Sequence, residues 1–360
     1  MIGIDASRAF VKNRTGIEEY SYQVIKHLRT ELKNEQVILY LRWGDWKNID
    51  FDIPPKWQVK ELLKKYFWTQ FGLSAELLVN PVDVLFVPAH TIPFIHPRRS
   101  VVTIHGLEYE FSPESYSLYS RIFHRFFIKK SCRWANKIIA VSDKTKQDLI
   151  KLYKTPADKI KIIPNGFNPV NLDDIKENET IKQNKPYLFF IGRLEERKNV
   201  VNIIKTFETL KEQYHYPGKL LLGGGKGHGY DKIKKVIKKS SYKEDIHELG
   251  FVSEEEKWRY FKYADAFLFP SLLEGFGIPI VEAQSMGTPV VTSDLSPMKE
   301  VAGDKRVIAN PNEPLQIAEI VNKILQDKEL REDIVRRGLE NVRKYSWQKT
   351  AREIAGVLKN

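Results

Sequence analysis

Short apolar runs and amphipathic stretches alternate along the whole chain, and this alternation predicts most of the fold. Residues 1–6, 37–42, 83–88, 100–105, 137–142 and 160–164 are rich in Val, Ile, Leu and Phe. They are short and apolar on both faces, like the buried strands of a parallel sheet. Between several of them, residues 17–32, 116–134 and 144–153 place apolar side chains at helical spacing. Residues 168–185 interrupt the pattern with Asn, Asp, Glu and Lys and read as a linker. The alternation restarts at 186–192 and runs through 219–224, 246–249, 266–270, 289–293 and 306–309. A last helical pattern covers 347–358. The expected class is α/β, with two doubly wound, Rossmann-like parallel-sheet domains facing a cleft. Ligands of such sheets gather at the carboxyl ends of the strands.

Composition narrows this picture little. A length of 360 residues and 42% hydrophobic content suit a two-domain globular protein. The single cysteine, Cys132, rules out an internal disulfide and fits a reducing compartment. The N-terminus starts at once on a strand-like run, and no apolar stretch approaches the roughly 18 residues of a spanning helix. The expected location is cytoplasmic, with room for peripheral attachment at the inner face of the membrane.

Charge adds one asymmetry. Of the net charge of +12, residues 1–170 contribute most, with 26 Lys and Arg against 17 Asp and Glu. A basic half suits an anionic partner such as a membrane surface, a lipid phosphate or an acidic glycan. It equally suits a chain that is simply rich in lysine. The pair Phe67-Trp68 and the stretch 121–134 mix aromatic and basic residues. Two readings stay open: a helix with a buried aromatic face, or a surface resting on an anionic membrane. No compact basic-aromatic motif for nucleic acid is present, so no nucleic-acid partner is expected.

The most informative segment is Ser271-Leu-Leu-Glu-Gly-Phe-Gly-Ile-Pro-Ile-Val-Glu282. It follows a strand-like run and turns into a helical pattern. Gly275 and Gly277 allow backbone to approach a ligand, and the N–H groups of a helix start suit a phosphate. Glu274 and Glu282 bracket the turn. A carboxylate beside a phosphate needs hydrogen-bond donors, and sugar and ribose hydroxyls supply them. The segment reads as a sugar-nucleotide site.

Further candidates sit at other predicted strand ends. Arg193 and Lys198 follow residues 186–192, where two cations would stabilise a departing diphosphate. With them present no metal is expected, and Asp50-Phe-Asp52 reads as a chance match to a metal motif. Gly16 opens a helical pattern and offers an N–H to a phosphate. His105 ends one strand, and His90 has the same placement after another. Phe251 and Val252 follow a strand end and could meet a nucleobase. Gly223-Gly-Gly-Lys-Gly227 lacks phosphate-loop spacing, and neither zinc-type Cys/His spacing nor Gly-x-Ser-x-Gly occurs.

In order and spacing these motifs resemble the family-4 retaining glycosyltransferases of GT-B architecture, in style the mannosyltransferases of bacterial surface polysaccharides. The resemblance rests on Thr15-Gly16-Ile17, Val102-Thr-Ile-His105, Ile163-Pro-Asn-Gly166, Gly192-Arg193 with Lys198-Asn199, the Glu274–Glu282 segment and Ser346-Trp347. It implies an acceptor-side domain of residues 1–167, completed by helix 346–360. A linker, 168–185, and a nucleotide-sugar-binding domain, 186–345, follow. It implies that Arg193 and Lys198 hold the diphosphate and Glu282 the ribose. Glu274, with the Phe276, Gly277 and Ile278 backbone, would contact the transferred sugar and phosphates. His105 would contact the sugar, Gly16 a phosphate, and Phe251 and Val252 the base. The implied reaction is hexosyl transfer with retention, from GDP-mannose in preference to UDP-sugars, to a glycan or lipid-linked acceptor. No further cofactor is implied. No carboxylate stands out as a dedicated nucleophile, so same-face attack is implied, with the leaving phosphate taking the acceptor proton. Two positions depart from the pattern. Glu18 stands where many relatives carry a second glycine, and Gly106 follows His105 where Asp is common. A nucleotide-sugar 2-epimerase, a basic nucleic-acid-binding protein and a catalytically silent subunit are the competing readings. None of them accounts for Arg193, Lys198, Glu274 and Glu282 together.

Overall fold

The computed structural model of the chain describes residues 1–12, 14–63 and 67–360. The chain divides into two compact units, 1–166 with 346–360, and 167–345.

The first unit is a parallel sheet of seven strands. These are β1 (Ile2–Asp5), β2 (Val37–Arg42), β3 (Trp57–Leu62), β4 (Val84–Val87), β5 (Arg99–Ile104), β6 (Lys137–Ala140) and β7 (Ile160–Ile162), in the order β3-β2-β1-β4-β5-β6-β7. The central strands β1 and β4 are buried along their whole length, as continuous apolar runs require when helices cover both faces. β3 is the element that the apolar pattern does not predict. It lies at an edge, paired only with β2 in the register Val37↔Trp57, so Gln58, Lys60 and Glu61 can stay in or near water.

The C-terminal helix Trp347–Lys359 packs in this unit, on the helix Gly16–Glu31. Ser346 caps it by accepting from the Lys349 N–H, and Trp347, Ile354 and Leu358 are buried. A Cβ on Gly166 would stand 2.3 Å from the Trp347 nitrogen, so only glycine lets the helix start pass so closely.

The second unit is a parallel sheet of six strands. These are β8 (Tyr187–Ile191), β9 (Lys219–Gly223), β10 (Ile246–Gly250), β11 (Ala266–Phe269), β12 (Val290–Ser293) and β13 (Ile308–Ala309), in the order β10-β9-β8-β11-β12-β13. In its core Phe190 stacks on Phe269 across β8 and β11, and Phe189 packs at a tilt against Phe267.

Residues 168–185, read from composition as a linker, pack as part of this unit. Ile175 and Ile181 are buried, and Lys262 donates to the Leu172 and Ile175 carbonyls at 2.7 Å each. Two apolar side chains among many polar ones are enough to seat the segment, and composition averages them away.

In both sheets the strand order reverses at one place, between β1 and β4 and between β8 and β11. The crevice outside the carboxyl ends of such a pair is where doubly wound sheets bind ligands.

Candidate active site

In the second unit, the loops after β8 and β11 meet across that reversal point. After β8 the chain passes through Gly192 and Arg193 into a short 3-10 turn, Glu196–Lys198, then a left-handed Asn199 that opens the helix Val200–Tyr214. Asn199 fixes this corner by donating to the Pro270 and Pro311 carbonyls at 3.1 and 2.7 Å. After β11 the chain runs through Ser271 and Glu274 to Gly277, whose φ of +106° excludes most side chains. The helix Ile278–Ser285 begins there, with Pro279 in its first turn.

Lys198 and Glu274 form a buried ion pair between these two loops. Arg197 adds a second cation, 3.4 Å from the Glu274 carboxylate, and donates to the Leu273 carbonyl at 3.1 Å. Its backbone oxygen accepts from Leu272, and Glu195 holds its guanidinium at 2.6 Å. Read from sequence, Arg197 is a solvated neighbour. The structure makes it a clamp on the Glu274 loop. Burial disfavours the Glu274 carboxylate, but Lys198 and Arg197 outweigh it and hold its pKa below the usual range. Burial lowers the Lys198 pKa, and the attraction of Glu274 opposes that shift. The site thus keeps an ionised carboxylate beside two cations.

Arg193 is exposed, and its aliphatic stem lies on the glycine-rich loop after β9. A Cβ on Gly227 would stand 2.7 Å from the Arg193 Cγ and Cδ, and one on Gly224 would stand 2.0 Å from the Gly192 oxygen. Backbone hydrogen bonds link the loops, from Leu194 to Gly225 at 2.8 Å and from Gly227 to Leu194 at 3.0 Å. The run Gly223-Gly-Gly-Lys-Gly227 is therefore a close-packed backing for the Arg193 loop.

Glu282 lies on the helix after Gly277. Lys257, from the helix Glu254–Tyr263, donates to it at 2.8 Å and also pairs with Glu254 at 2.8 Å. Burial works against the Lys257 ammonium, yet the two carboxylates dominate and raise its pKa. Sequence reasoning missed Lys257, which sits in the charged run Glu254-Glu-Glu-Lys-Trp258 and reads as a solvated helix face. Phe276 is buried edge-on against Tyr345 at 5.6 Å, which anchors the turn between Gly275 and Ile278. Phe251 is 89% exposed after the left-handed Gly250, with Val252 half-buried beside it.

In the first unit, His105 follows β5 and Gly16 opens the helix after β1. The His105 Nε2 lies 2.8 Å from the Pro88 carbonyl oxygen. Nε2 therefore carries the hydrogen and Nδ1 is left as an acceptor. The expected departure at Gly106 thus has a remedy, since a backbone carbonyl does the orienting that a neighbouring Asp would do. Tyr20 packs edge-on against the His105 ring at 4.4 Å, and Trp347 packs against Tyr20 at 5.8 Å. Burial pushes the His105 pKa down to about 4, so the ring is neutral near pH 7. His90, 5.2 Å away between ring centres, is also held well below the usual value, chiefly by burial.

Around Gly16 there is open space for backbone approach. Glu18, the other departure, is turned back into the capping box of Thr15 and pairs with Arg8 at 3.0 Å. Its charge is already spoken for at the helix start. Asp50, of the Asp-x-Asp match, accepts from the Tyr22 hydroxyl at 2.7 Å.

Comparison with known proteins matches this geometry to a family. The profile of Glycosyltransferase Family 4 covers residues 14–170, and that of Glycosyl transferases group 1 covers residues 172–341. The chain is 29% identical over 260 residues to O-antigen chain mannosyltransferase B of Escherichia coli, covering 70% of this chain and 68% of that protein. It is 27% identical over 224 residues to O-antigen chain mannosyltransferase RfbU of Salmonella typhimurium, covering 62% and 60%. The match thus spans about two thirds of these curated relatives. WaaG, a glycosyltransferase involved in lipopolysaccharide biosynthesis, superposes over the full length of both chains with a TM-score of 0.71 at 17% identity. Anabaena Alr3699/HepE, solved in complex with UDP-glucose, superposes with a TM-score of 0.72 at 18% identity over 99% of this chain and 98% of that one. The chain is a glycosyltransferase of GT-B architecture, built of a family-4 domain followed by a group 1 domain.

Proposed function

We propose that this glycosyltransferase moves a hexose, mannose in preference to others, from a nucleotide-sugar donor to a glycan or lipid-linked acceptor in surface polysaccharide synthesis. The observation that carries the reading is the Lys198–Glu274 pair, set at the strand-order reversal with Arg193 earlier in the same loop as Lys198. The names of the O-antigen mannosyltransferase relatives support mannose, and with it GDP-mannose as donor. The UDP-glucose complex of the HepE neighbour supports a sugar nucleotide as the donor class.

In this reading the chemistry is positioning and charge. Arg193 and Lys198 stabilise the negative charge that appears on the departing diphosphate. Glu274, kept ionised, accepts hydrogen bonds from hydroxyls of the transferred sugar. Glu282, anchored by Lys257, accepts from the ribose hydroxyls. Phe251 and Val252 meet the base, and the Phe276, Gly277 and Ile278 backbone the phosphates. His105 offers its Nδ1 lone pair to a sugar hydroxyl, and the Gly16 N–H suits a phosphate oxygen. With its carboxylates committed to hydroxyls, the site supports same-face transfer with retention rather than a covalent glycosyl-enzyme.

The test is product analysis. Purified protein, GDP-mannose and a mannoside or lipid-linked primer should give a new glycoside with the anomeric configuration of the donor by proton NMR. Inverted product, or GDP-mannose converted to an isomeric sugar nucleotide, would overturn the proposal.

A further inference from the structure

Two local costs meet at His90 in the first unit. The first lies in the backbone. His90 follows β4 with a φ of +61°, in the left-handed region that side chains disfavour. Its N–H donates to the Thr103 carbonyl at 3.0 Å, and the Thr91 N–H turns back to the Ala89 carbonyl at 2.8 Å. The kink is thus held in place on both sides of the residue. The second cost lies in the side chain. The His90 Nδ1 is sealed from solvent and has no hydrogen-bond partner. Glycine or asparagine would suit such a turn better. Strained backbone and orphaned polar atoms gather where a residue is kept for function.

The chemistry of the ring supplies that function. A neutral imidazole has one N–H and one lone pair. His90 is held neutral chiefly by burial, and then by His105, Arg8 and His124. A buried N–H without an acceptor is the costlier orphan, so the hydrogen sits on Nε2 and the buried Nδ1 keeps its lone pair. Nε2 also has no hydrogen-bond partner among the described residues, but it is not buried. It therefore presents a donor to whatever enters. His105 is the complement, because its Nε2–H goes to the Pro88 carbonyl and its Nδ1 lone pair faces outward. The two ring centres lie 5.2 Å apart, with the planes at 76°. One oxygen at about 2.8 Å from a nitrogen of each ring bridges a gap of up to about 5.6 Å. A hydroxyl gives one hydrogen and accepts another, so it satisfies both rings. A carboxylate or phosphate only accepts, and an ammonium only donates.

We propose that His90 is a specificity-determining residue, which with His105 holds one sugar hydroxyl between a donor nitrogen and an acceptor nitrogen. The pair follows β4 and β5, beside the reversal between β1 and β4. His105 alone reads only the hydrogen of a hydroxyl. Together the two rings also fix the position of its oxygen, and they disfavour a charged group there. The hydroxyl belongs to the transferred sugar or to the acceptor, and the two sources separate by experiment. The inference rests on the proposed mannosyl transfer only for the choice of sugar.

The test uses His90→Asn, because asparagine tolerates positive φ and the variant withdraws only the imidazole. Its thermal unfolding should match or exceed that of the wild type. Loss of one neutral hydrogen bond should weaken the ligand that carries the hydroxyl about tenfold. A tenfold higher KM for methyl α-mannoside, with GDP-mannose binding unchanged by calorimetry, assigns the hydroxyl to the acceptor. Tenfold weaker GDP-mannose, with GDP itself unchanged, assigns it to the transferred sugar. His90→Gln, whose amide reaches toward the Nε2 position, should restore part of the loss. Long-range proton–nitrogen spectra of the imidazoles need no turnover. The signal missing in His90→Asn should show the hydrogen on Nε2 alone, and it should shift with the ligand whose binding weakens. A hydrogen on Nδ1, or no change of either ligand in His90→Asn, would overturn the inference. So would a variant of lowered Tm that loses GDP and GDP-mannose binding equally, the mark of a structural role. A wild type that ignores GDP-mannose while UDP-glucose shifts the His90 signal would sink the mannosyl reading and leave this inference standing.

Discussion

Removing the Glu274 charge tests how much the site depends on the pair that spans its two loops. In Glu274→Gln the amide oxygen still accepts from Lys198, so the hydrogen bond survives and the counter-charge does not. Lys198 then keeps a buried ammonium beside Arg197. Two unit charges at hydrogen-bond distance attract by about 5 kcal/mol at an effective dielectric of about 20. Removing one partner of a buried pair costs about 3–5 kcal/mol, and the surviving hydrogen bond places Glu274→Gln near the low end. For a unit of this size that loss lowers Tm by about 6–12 °C. Lys198→Met should cost a similar amount. The double variant removes both charges, so it should cost at least about 2 kcal/mol less than the sum of the singles.

The effect also has a pH signature. Burial holds the Lys198 pKa below 10.5 in the folded chain, and without Glu274 it should fall further. Between that depressed value and 10.5 the unfolded chain binds more protons than the folded one, so stability rises with pH. The gap between Glu274→Gln and wild type should therefore narrow from about pH 7 to about pH 9.5. Urea unfolding followed by tryptophan fluorescence reads both effects. Single-variant losses under about 1 kcal/mol, or fully additive singles, would show a solvated contact and refute the reasoning.

Three further outcomes follow from the same geometry, at Lys257, His105 and the Gly224–Gly225 pair. Lys257→Met should weaken nucleoside-diphosphate binding about tenfold by calorimetry with little change in kcat, because it removes the ammonium that donates to Glu282, and Lys257→Arg should restore most of the affinity. His105 stays neutral in the folded chain down to about pH 4 and would titrate near 6.5 when unfolded. As pH falls through that window the unfolded chain gains the proton first, so stability drops by up to about 3 kcal/mol. His105→Asn should flatten this part of the stability–pH curve, and an unchanged slope would count against the buried neutral ring. Gly224→Ala, at φ +126° and 2.0 Å from the Gly192 oxygen, should cost more than about 3 kcal/mol or prevent folding, while Gly225→Ala, with nothing within 4 Å, should stay within about 0.5 kcal/mol.

The sheets were legible because parallel strands covered on both faces must be apolar throughout. Tyr187–Ile191 and Ala266–Phe269 could be little else. Trp57–Leu62 escaped because an edge strand can carry Lys and Glu. Segment 168–185 escaped because only two of its apolar side chains, Ile175 and Ile181, are buried in the second unit. Backbone carbonyls that accept from Lys262 and Arg259 add to its seat. Glu274, Glu282, Arg193 and Lys198 stood out by their place after strands. Their supports did not. Lys257 and Arg197 are cations in charged runs, indistinguishable from solvated side chains until the fold brings Glu282 and Glu274 to them. The group that orients His105 is a backbone oxygen of Pro88, and no residue type announces it. The run Gly223-Gly-Gly-Lys-Gly227 read from sequence only as lacking phosphate-loop spacing, and the fold alone shows that it packs against the Arg193 loop.

The measurement that bears most directly on the central claim is calorimetric titration of GDP-mannose and UDP-glucose into the wild type and into Arg193→Ala. Arg193 touches the leaving group in this account and is exposed, so its loss should not unfold the chain. The account predicts one donor site in the wild type, with GDP-mannose the tighter ligand. In Arg193→Ala the affinity should fall and kcat/KM should drop about a hundredfold, equivalent to about 3 kcal/mol of lost charge stabilisation. Neither sugar nucleotide binding the wild type, or equal binding and turnover in Arg193→Ala, would contradict it.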